Sequence, residues 1–596
     1  MKKRVADIVV ETLLENGIDY CFAVVGGGAM HIDNALAVHS DMKKFFCHHE
    51  QACSMAAEGF AKAYGKMAMV SVTSGPGAIN ALNGVQGAFV DSTPMIVIAG
   101  HPRWETTVNS TGLQLRFRGV QEYDIVPTLF NMTKYAKTVI DPLSIKREVQ
   151  KAIDIAISGR RGPTWLSIPL NVQGTVVDDK DLYPCEQVVD SYTYNQKDID
   201  EINKLIEQSE RPVILAGSGI RTGCEVERFR EWVENRNIPI VSGALLPDIM
   251  YEGEKNYYGT SGNVGERRGN FILQNADLIV AIANSLSAKQ TGFNLGLFAP
   301  HAKIVMVDAG EDEGKKPGLN VDKYLNMDVK FFFDCIADKL SQWKVNKEWI
   351  DYCDLLNEKL GDIDEPRHES GNSRVPNQLF WGSFWKVLPE NGIIALGNSS
   401  GLVGCLQKSI KKPEQRVIVN YNAGSMGDDL PEAIGIAVKD KKEVICVTGD
   451  GSIMMNLQEL QTIKQYDLNI KIIILSNDGY GAIRQTNKNY FDGMYIGCDS
   501  KSGISMPDFE KVADAFGFPF RRCHKVSEID GSIKWLFEKS GSVLLEVCQK
   551  LDDPILPKVL SRLNDKGEFF TPGLHEMFPV ISDELMGELL LKKGEH

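Results

Sequence analysis

The sequence predicts an α/β protein of three doubly wound parallel-sheet domains. Three observations lead there. Short apolar β-type runs alternate with helix-period segments along the whole chain, which is the pattern of parallel sheets covered by helices. Several runs stop at glycine-rich or acidic turns, such as Gly449-Asp450-Gly451 and Gly217-Ser218-Gly219. The chain is 596 residues long, enough for several cores rather than one.

The first segment, residues 1–180, opens with MKKRVADIVVETLLENG, where Asp7, Glu11 and Glu15 interrupt the apolar positions. That predicts an amphipathic helix and not a signal peptide. Tyr20 to Val25 reads as a strand ending at Gly26-Gly27-Gly28, and Phe45 to Glu50 as a strand giving way to a small-residue helix. MAMVSVTSGPGAINAL is strand, then turn, and Pro94 to Gly100 is another strand. Residues 181–200 are polar and turn-rich, a linker. A second unit, residues 195–345, carries the runs PVILAGSG, IPIVS, DLIVAIA and KIVMVDAG. Its GxG alone is weak support for a dinucleotide. The charged stretch KVNKEWIDYCDLLNEKLGDIDEPRHESGNSRVPN predicts a solvated helix and linker. A third unit spans 370–550, and residues 551–596 form a tail expected to act as a lid.

Composition narrows the function. Apolar residues make up 43% and charged residues 24%, as in ordinary globular proteins. A net charge of −14 argues against nucleic acid or an anionic membrane surface as partner. Twelve cysteines without a CxxC pair predict reduced thiols, neither a zinc site nor a disulfide framework. No apolar run reaches the roughly 18 residues of a membrane span, and the expected location is the cytoplasm.

The third unit carries the clearest chemistry. Val444 to Val447 stops at Gly449-Asp450-Gly451, and Ile470 to Leu475 stops at Asn477-Asp478-Gly479. Between them Ile453, Leu457, Leu460 and Ile463 recur at the spacing of one helix face. Both turns then fall at the carboxyl ends of neighbouring parallel strands, where open α/β sheets bind ligands. A carboxylate from Asp450, an amide oxygen from Asn477 and the Gly479 carbonyl are hard donors suited to a Mg²⁺ that keeps water and shares a diphosphate. Either motif alone is an ordinary turn; together they point to a site.

Gly449-Asp450-Gly451 followed, after a spacer, by Ser476-Asn477 resembles the diphosphate-and-metal motif of thiamine-diphosphate-dependent enzymes. Ser476 departs from the Asn-Asn of that pattern, and the ligating second Asn is kept as Asn477. HHEQACSMAAEGFAKAYGK and TSGPGAINALNGVQGAFVDSTPMIVIAG resemble the pyrimidine-binding domain of acetolactate-synthase-like enzymes. The resemblance implies that Glu50 bonds N1′ of the cofactor's aminopyrimidine, that Gly27, Pro76 and Asn80 line the cofactor, and that Gln121 lies on the substrate side. It further implies cofactor contacts from Asn398, Ser399, Ser400, Gly424, Gly449, Gly451, Ser452, Tyr480 and Gly481. Met426 would sit under the cofactor, and Asp450, Asn477 and Gly479 would hold Mg²⁺. Lys134 is read as either a surface lysine or an anion contact, and His48-His49 as packing.

The same resemblance raises FAD. Arg160 matches a position that touches flavin in the flavin-containing members, while Asn284 to Gln290 replaces their Arg-Phe-Asp-Asp-Arg-like run. The flavin therefore stands open. The implied reaction is decarboxylation of a 2-oxo acid, pyruvate first, with transfer of the two-carbon unit to a second carbonyl. The alternatives are a keto-sugar nucleotide as acceptor, or simple decarboxylation. A homodimer or homotetramer with the site between chains is implied as well.

Overall fold

In the computed structural model the described residues are 1–591, except 187, 189, 344, 362–369, 409, 411, 564 and 565. The linker expected across 362–369 and the end of the tail lie outside them.

Three six-stranded sheets organise the chain, and every strand pair in them is parallel. In the first sheet the spatial order is Lys43–Phe46, Tyr20–Ala23, Met69–Val72, Ile96–His101, Thr164–Pro169, Tyr135–Thr138. The third repeats that order with Arg416–Val419, Ile393–Leu396, Val444–Gly449, Ile470–Ser476, Val543–Cys548, Phe520–Cys523. In each, the chain starts beside the edge, steps outward once, then crosses to the other side. That reversal opens a crevice at the carboxyl ends of the two strands flanking it. In the first sheet these strands end at Gly26–Gly28 and Thr73–Pro76. In the third they end at Asn398–Ser400 and Gly449–Asp450.

The central sheet differs in order: Tyr257–Ser261, Ile240–Gly243, Pro212–Ala216, Leu278–Ile282, Lys303–Asp308, Lys323–Asn326. Its reversal lies between Pro212–Ala216 and Leu278–Ile282, as in dinucleotide-binding folds.

The outer sheets share one core. The helix Glu50–Tyr64 lies against Asp429–Ala437, and Phe22, Ala56, Phe60, Val97, Ile434 and Ile472 belong to one buried apolar cluster. Glycines permit this close approach. A Cβ at Gly435 would stand 1.9 Å from the Ala56 carbonyl oxygen, and one at Gly59 would stand 2.6 Å from that of Glu432. The Tyr64 hydroxyl donates to the Ile436 carbonyl at 2.6 Å across the same junction.

Several expectations are corrected. Residues 2–4 form a strand paired antiparallel with Val176–Asp178, so the first helix begins at Val5. The single helix expected after Gly451 is two short ones, Asp450–Ile453 and Glu459–Gln465. Asn456 breaks it by donating to the Gly427 carbonyl at 2.7 Å. Part of the tail packs on the central sheet. Leu574, Met577 and Leu589 are buried in a cluster on the central sheet, and Arg267 donates to the carbonyls of Met577 at 3.0 Å and Pro579 at 2.7 Å. Apolar side chains that find a core surface lose their mobility.

Candidate active site

One group of predicted residues gathers at the carboxyl edge of the first sheet. Glu50 is the first residue of its helix, and His49 caps that helix by accepting from the Gln51 N–H at 3.1 Å. Local backbone geometry therefore sets the direction of the Glu50 carboxyl. Asn80 donates its amide to Glu50 Oε2 at 3.0 Å. Gly77, in the short helix Pro76–Asn80, leaves open the face beside Oε1: a Cβ there would lie 3.0 Å away. Gly75, at φ 59°, passes so near the Gln121 carbonyl that a Cβ would stand 2.3 Å from its oxygen, and Gln121 itself has φ 51°. Glycine tolerates such a conformation, while for glutamine it is uncommon. Gly27 is exposed on the neighbouring turn.

The second group lies at the carboxyl edge of the third sheet. Asp450 is 1% exposed. Its Oδ2 accepts from the N–H groups of Asn477 and Gly479, each at 3.0 Å, and Oδ1 accepts from its neighbour Gly451 at 2.9 Å. One carboxylate thus ties both strand-end turns together. Burial pushes its carboxyl up to about 6 against those bonds. Gly451 stands so close to Tyr480 that a Cβ would lie 2.2 Å from the ring, and Gly481 lies against the Asn477 amide. Gly449 and Ser452 flank Asp450; the Ser452 hydroxyl donates to Asp429 Oδ2 and accepts from the Gly427 N–H, both at 2.8 Å.

Asn398 donates to the Ser425 carbonyl at 2.9 Å, joining the Asn398–Ser400 turn to the turn of Gly424 and Met426. Ser399 has φ 64° at the head of the helix Ser400–Leu406. Gly424 and Gly427 have φ 64° and 78°, and Met426 between them is 36% exposed, so its side chain is free to meet a ligand.

Residues not singled out in the sequence hold these groups. Arg484 is 7% exposed and donates to the Asn477 carbonyl at 2.6 Å, to Asn477 Oδ1 at 3.1 Å and to the Leu551 carbonyl at 3.1 Å. Asp91 accepts from the N–H groups of Tyr421 and Asn422, each at 3.1 Å. Asn420 accepts from the Gly424 N–H at 2.9 Å. Glu122 accepts from the N–H groups of Val108, Arg118 and Gly119, closing the loop before Gln121. The Asp91 and Arg484–Leu551 bonds have no local signal, because they join residues 330, 331 and 67 positions apart; the bonds of Asn420 and Glu122 lie mostly within their own loops. Among the described residues no hydrogen bond joins Glu50 directly to the Asp450 turn.

The chemistry of these residues fits the implied groups. Among the described residues no three His, Cys, Asp or Glu side chains cluster as a metal cage. Asp450 with the neutral oxygens of Asn477 and Gly479 suits a magnesium that keeps most of its other ligands.

Arg160 lies elsewhere, in a cavity of about 240 Å³ at the reversal of the central sheet, with Ser218, Gly219, Ala283, Ser285 and Asp308. A buried acid at the end of a parallel strand beside a GxG turn fits the nucleotide part of a flavin dinucleotide. Arg160 is paired there with Glu313, and its Nε donates to the Ser92 hydroxyl at 2.9 Å. The departing run Asn284–Gln290 docks outward: Lys289 donates to the carbonyls of Tyr421, at 2.5 Å, and Asn422. Lys134 is no anion contact. Its ammonium donates to the carbonyls of Ile155 and Ser158, at the end of the helix Ile145–Ile157, and burial lowers it to about 8.

Known families match this arrangement in chain order. The thiamine pyrophosphate enzyme N-terminal TPP-binding domain matches residues 3–121, the central domain 199–329, and the C-terminal TPP-binding domain 402–547. The acetolactate synthase isozyme 2 large subunit of Escherichia coli (strain K12) is 27% identical over 549 residues, covering 91% of this chain and 95% of that protein. Acetolactate synthase 2, chloroplastic, of Nicotiana tabacum is 29% identical over 93% of this chain and 83% of its own length. A probable acetolactate synthase large subunit of Methanocaldococcus jannaschii is 29% identical, covering 91% of each chain. With three matched domains in order and relatives along nearly the whole length, the chain is a thiamine-diphosphate-dependent enzyme of the acetolactate-synthase-like family.

Proposed function

We propose that the protein decarboxylates pyruvate and joins the two-carbon unit to a second 2-oxo acid, giving an acetohydroxy acid, in the cytoplasm. The observation carrying this reading is the Asp450 carboxylate gripping the Asn477 and Gly479 turns at the edge of adjacent strands. That geometry supports a magnesium-bridged diphosphate. Asp450, Asn477 Oδ1 and the Gly479 carbonyl would hold Mg²⁺; Asn398, Ser399, Ser400, Gly424, Gly449, Gly451, Ser452, Tyr480 and Gly481 would line the diphosphate arm.

When bound, thiamine diphosphate supplies the electron sink that decarboxylation of a 2-oxo acid needs. The chain's residues do the rest. Glu50, held by Asn80, would hydrogen-bond a ring nitrogen of the bound cofactor beside the face that Gly77 leaves open. Gly27 and Pro76 would border that ring and Met426 would support it, a proximity effect. Gln121, on the exposed rim, orients the oxo acid.

Glu50 and Asp450 belong to different sheets, and a second copy of the chain would complete each site, with a homodimer as the minimum assembly. FAD would occupy the Arg160 cavity, with Asp308 toward its ribose and Gly217 to Gly219 along its diphosphate. A visible flavin spectrum in purified protein tests that separately.

The deciding experiment incubates the protein with thiamine diphosphate, Mg²⁺ and pyruvate and identifies products by mass, with Glu50→Gln as control. Acetolactate that disappears in the control is the expected result. CO₂ release without acetolactate would overturn the acceptor assigned here and turn the search to keto-sugar nucleotides.

A further inference from the structure

A second cavity, of about 230 Å³, lies where the three sheets meet. It adjoins the Arg160 cavity, sharing Asp91, Arg161, Ser218, Thr222 and Leu245 with it, and includes none of the residues assigned to thiamine diphosphate or magnesium. Its wall mixes apolar side chains, among them Val226, Leu245 and Ile418, with charged ones of both signs.

The charges there are unevenly paired: Lys62, Arg161, Arg221 and Arg416 share the wall with Asp91, Glu227 and Asp248. Arg221 and Arg416 both converge on Asp248, which is 5% exposed: Arg221 donates to Oδ1 at 2.9 Å and Arg416 donates through Nε to Oδ2. Two guanidiniums on one buried carboxylate leave a net positive charge, which is costly in a dry site. Arg221 Nε is buried without a partner among the described residues, and burial holds this guanidinium below its ordinary value. Arg161, on the edge common to both cavities, has no hydrogen-bond or ion-pair partner among the described residues. Lys62 adds no free charge, because Glu58, Asp91 and Glu432 already surround it. Glu227, the remaining acid on the wall, is exposed to solvent.

We propose that this cavity binds a small anion, a carboxylate or a phosphate, through Arg161, with the Arg221–Arg416 pair on Asp248 supplying positive charge beside it. Its volume falls below the roughly 300 Å³ at which drug-sized ligands begin, and a 2-oxo acid or inorganic phosphate fits. A planar carboxylate or a phosphate oxygen pair matches the forked donors of arginine.

Cys224 supplies a local reporter. It is exposed and lines this cavity, and the exposed Cys185, outside the lining, serves as control. The full chain is alkylated with iodoacetamide, a neutral reagent, and the rates at Cys224 and Cys185 are compared by peptide mass. Pyruvate and inorganic phosphate are added in separate arms. At ten times its dissociation constant a ligand should slow Cys224 about tenfold and leave Cys185 unchanged. Protection by pyruvate alone assigns a carboxylate site, by phosphate alone a phosphate site, and by both a general anion site.

Arg161→Met should remove the protection and Arg161→Lys retain most of it, with thermal midpoints of both variants confirming that they fold. No protection in either arm, or protection that persists in Arg161→Met, would overturn the proposal. The readout is independent of turnover, so it stands or falls apart from the acetolactate reaction.

Discussion

At the scale of single residues, the most consequential side chain outside the active site is Lys62. Its ammonium lies 2.6 Å from Glu58, 3.1 Å from Asp91 and 3.3 Å from Glu432, three carboxylates without solvent exposure, and donates to the Val419 carbonyl at 2.8 Å. Replacing it with Met would bury those acids without a cation and should cost about 3–5 kcal/mol, read as a lower denaturant midpoint. The cluster also makes stability depend on pH. Burial, only partly offset by Lys62, pushes the Glu432 carboxyl up to about 8. A carboxyl that holds its proton more tightly when folded stabilises fully below its unfolded value and loses that contribution as pH rises through its folded one. The thermal midpoint should therefore fall between about pH 5 and about pH 8, and Glu432→Gln should flatten that slope. An unchanged slope in the variant would place the titration elsewhere. At Arg160, Glu313 competes with any bound diphosphate. Glu313→Gln should raise the affinity for FAD, measured by quenching of flavin fluorescence, by about tenfold if one charge-assisted bond is released.

At the scale of elements, the pair Glu50–Tyr64 and Asp429–Ala437 couples the two groups of site residues. The first helix carries Glu50 at its head, and the second follows the Met426 turn directly. Their separation is set by Gly59 and Gly435, since the neighbours of a built Cβ are backbone atoms that cannot rotate away. Gly435→Ala should cost about 1–3 kcal/mol through overpacking, visible as a lower denaturant midpoint. A stability equal to wild type would show that the helices slide apart freely. The central strands were plain in the sequence because four to seven consecutive apolar or β-branched residues end at glycine or acidic turns, whereas edge strands such as Tyr135–Thr138, Lys323–Asn326 and Phe520–Cys523 carry polar or charged residues and gave no such run. The Asp450–Gln465 region was not, because its apolar spacing fits one helix while Asn456 and Gly427, far apart in sequence, bond across the break. The tail was similarly opaque: Leu574 and Met577 become core only once the central sheet exists to receive them.

At the scale of the whole molecule, the arrangement predicts sites shared between chains. Glu50→Gln and Asp450→Asn should each abolish acetolactate formation alone. When the two inactive chains are unfolded, mixed and refolded together, half of the dimers pair one of each and regain one intact site. Activity should return to about a quarter of wild type. If each site lay within one chain, mixing would restore nothing.

The sequence by itself determined the three α/β units, the two strand-end turns of Asp450 and Asn477, and the position of Glu50 at a strand-to-helix junction. These depend on local periodicity and on turn chemistry within a few residues. Only the tertiary structure decided that Arg484 fastens Asn477, that Lys62 gathers acids from both outer sheets, that Lys134 closes a helix end, and that three domains enclose a charged cavity beside Arg221. Those interactions join residues up to several hundred positions apart. Their energy comes from burial and mutual neutralisation, which no stretch of chain possesses until the sheets have packed.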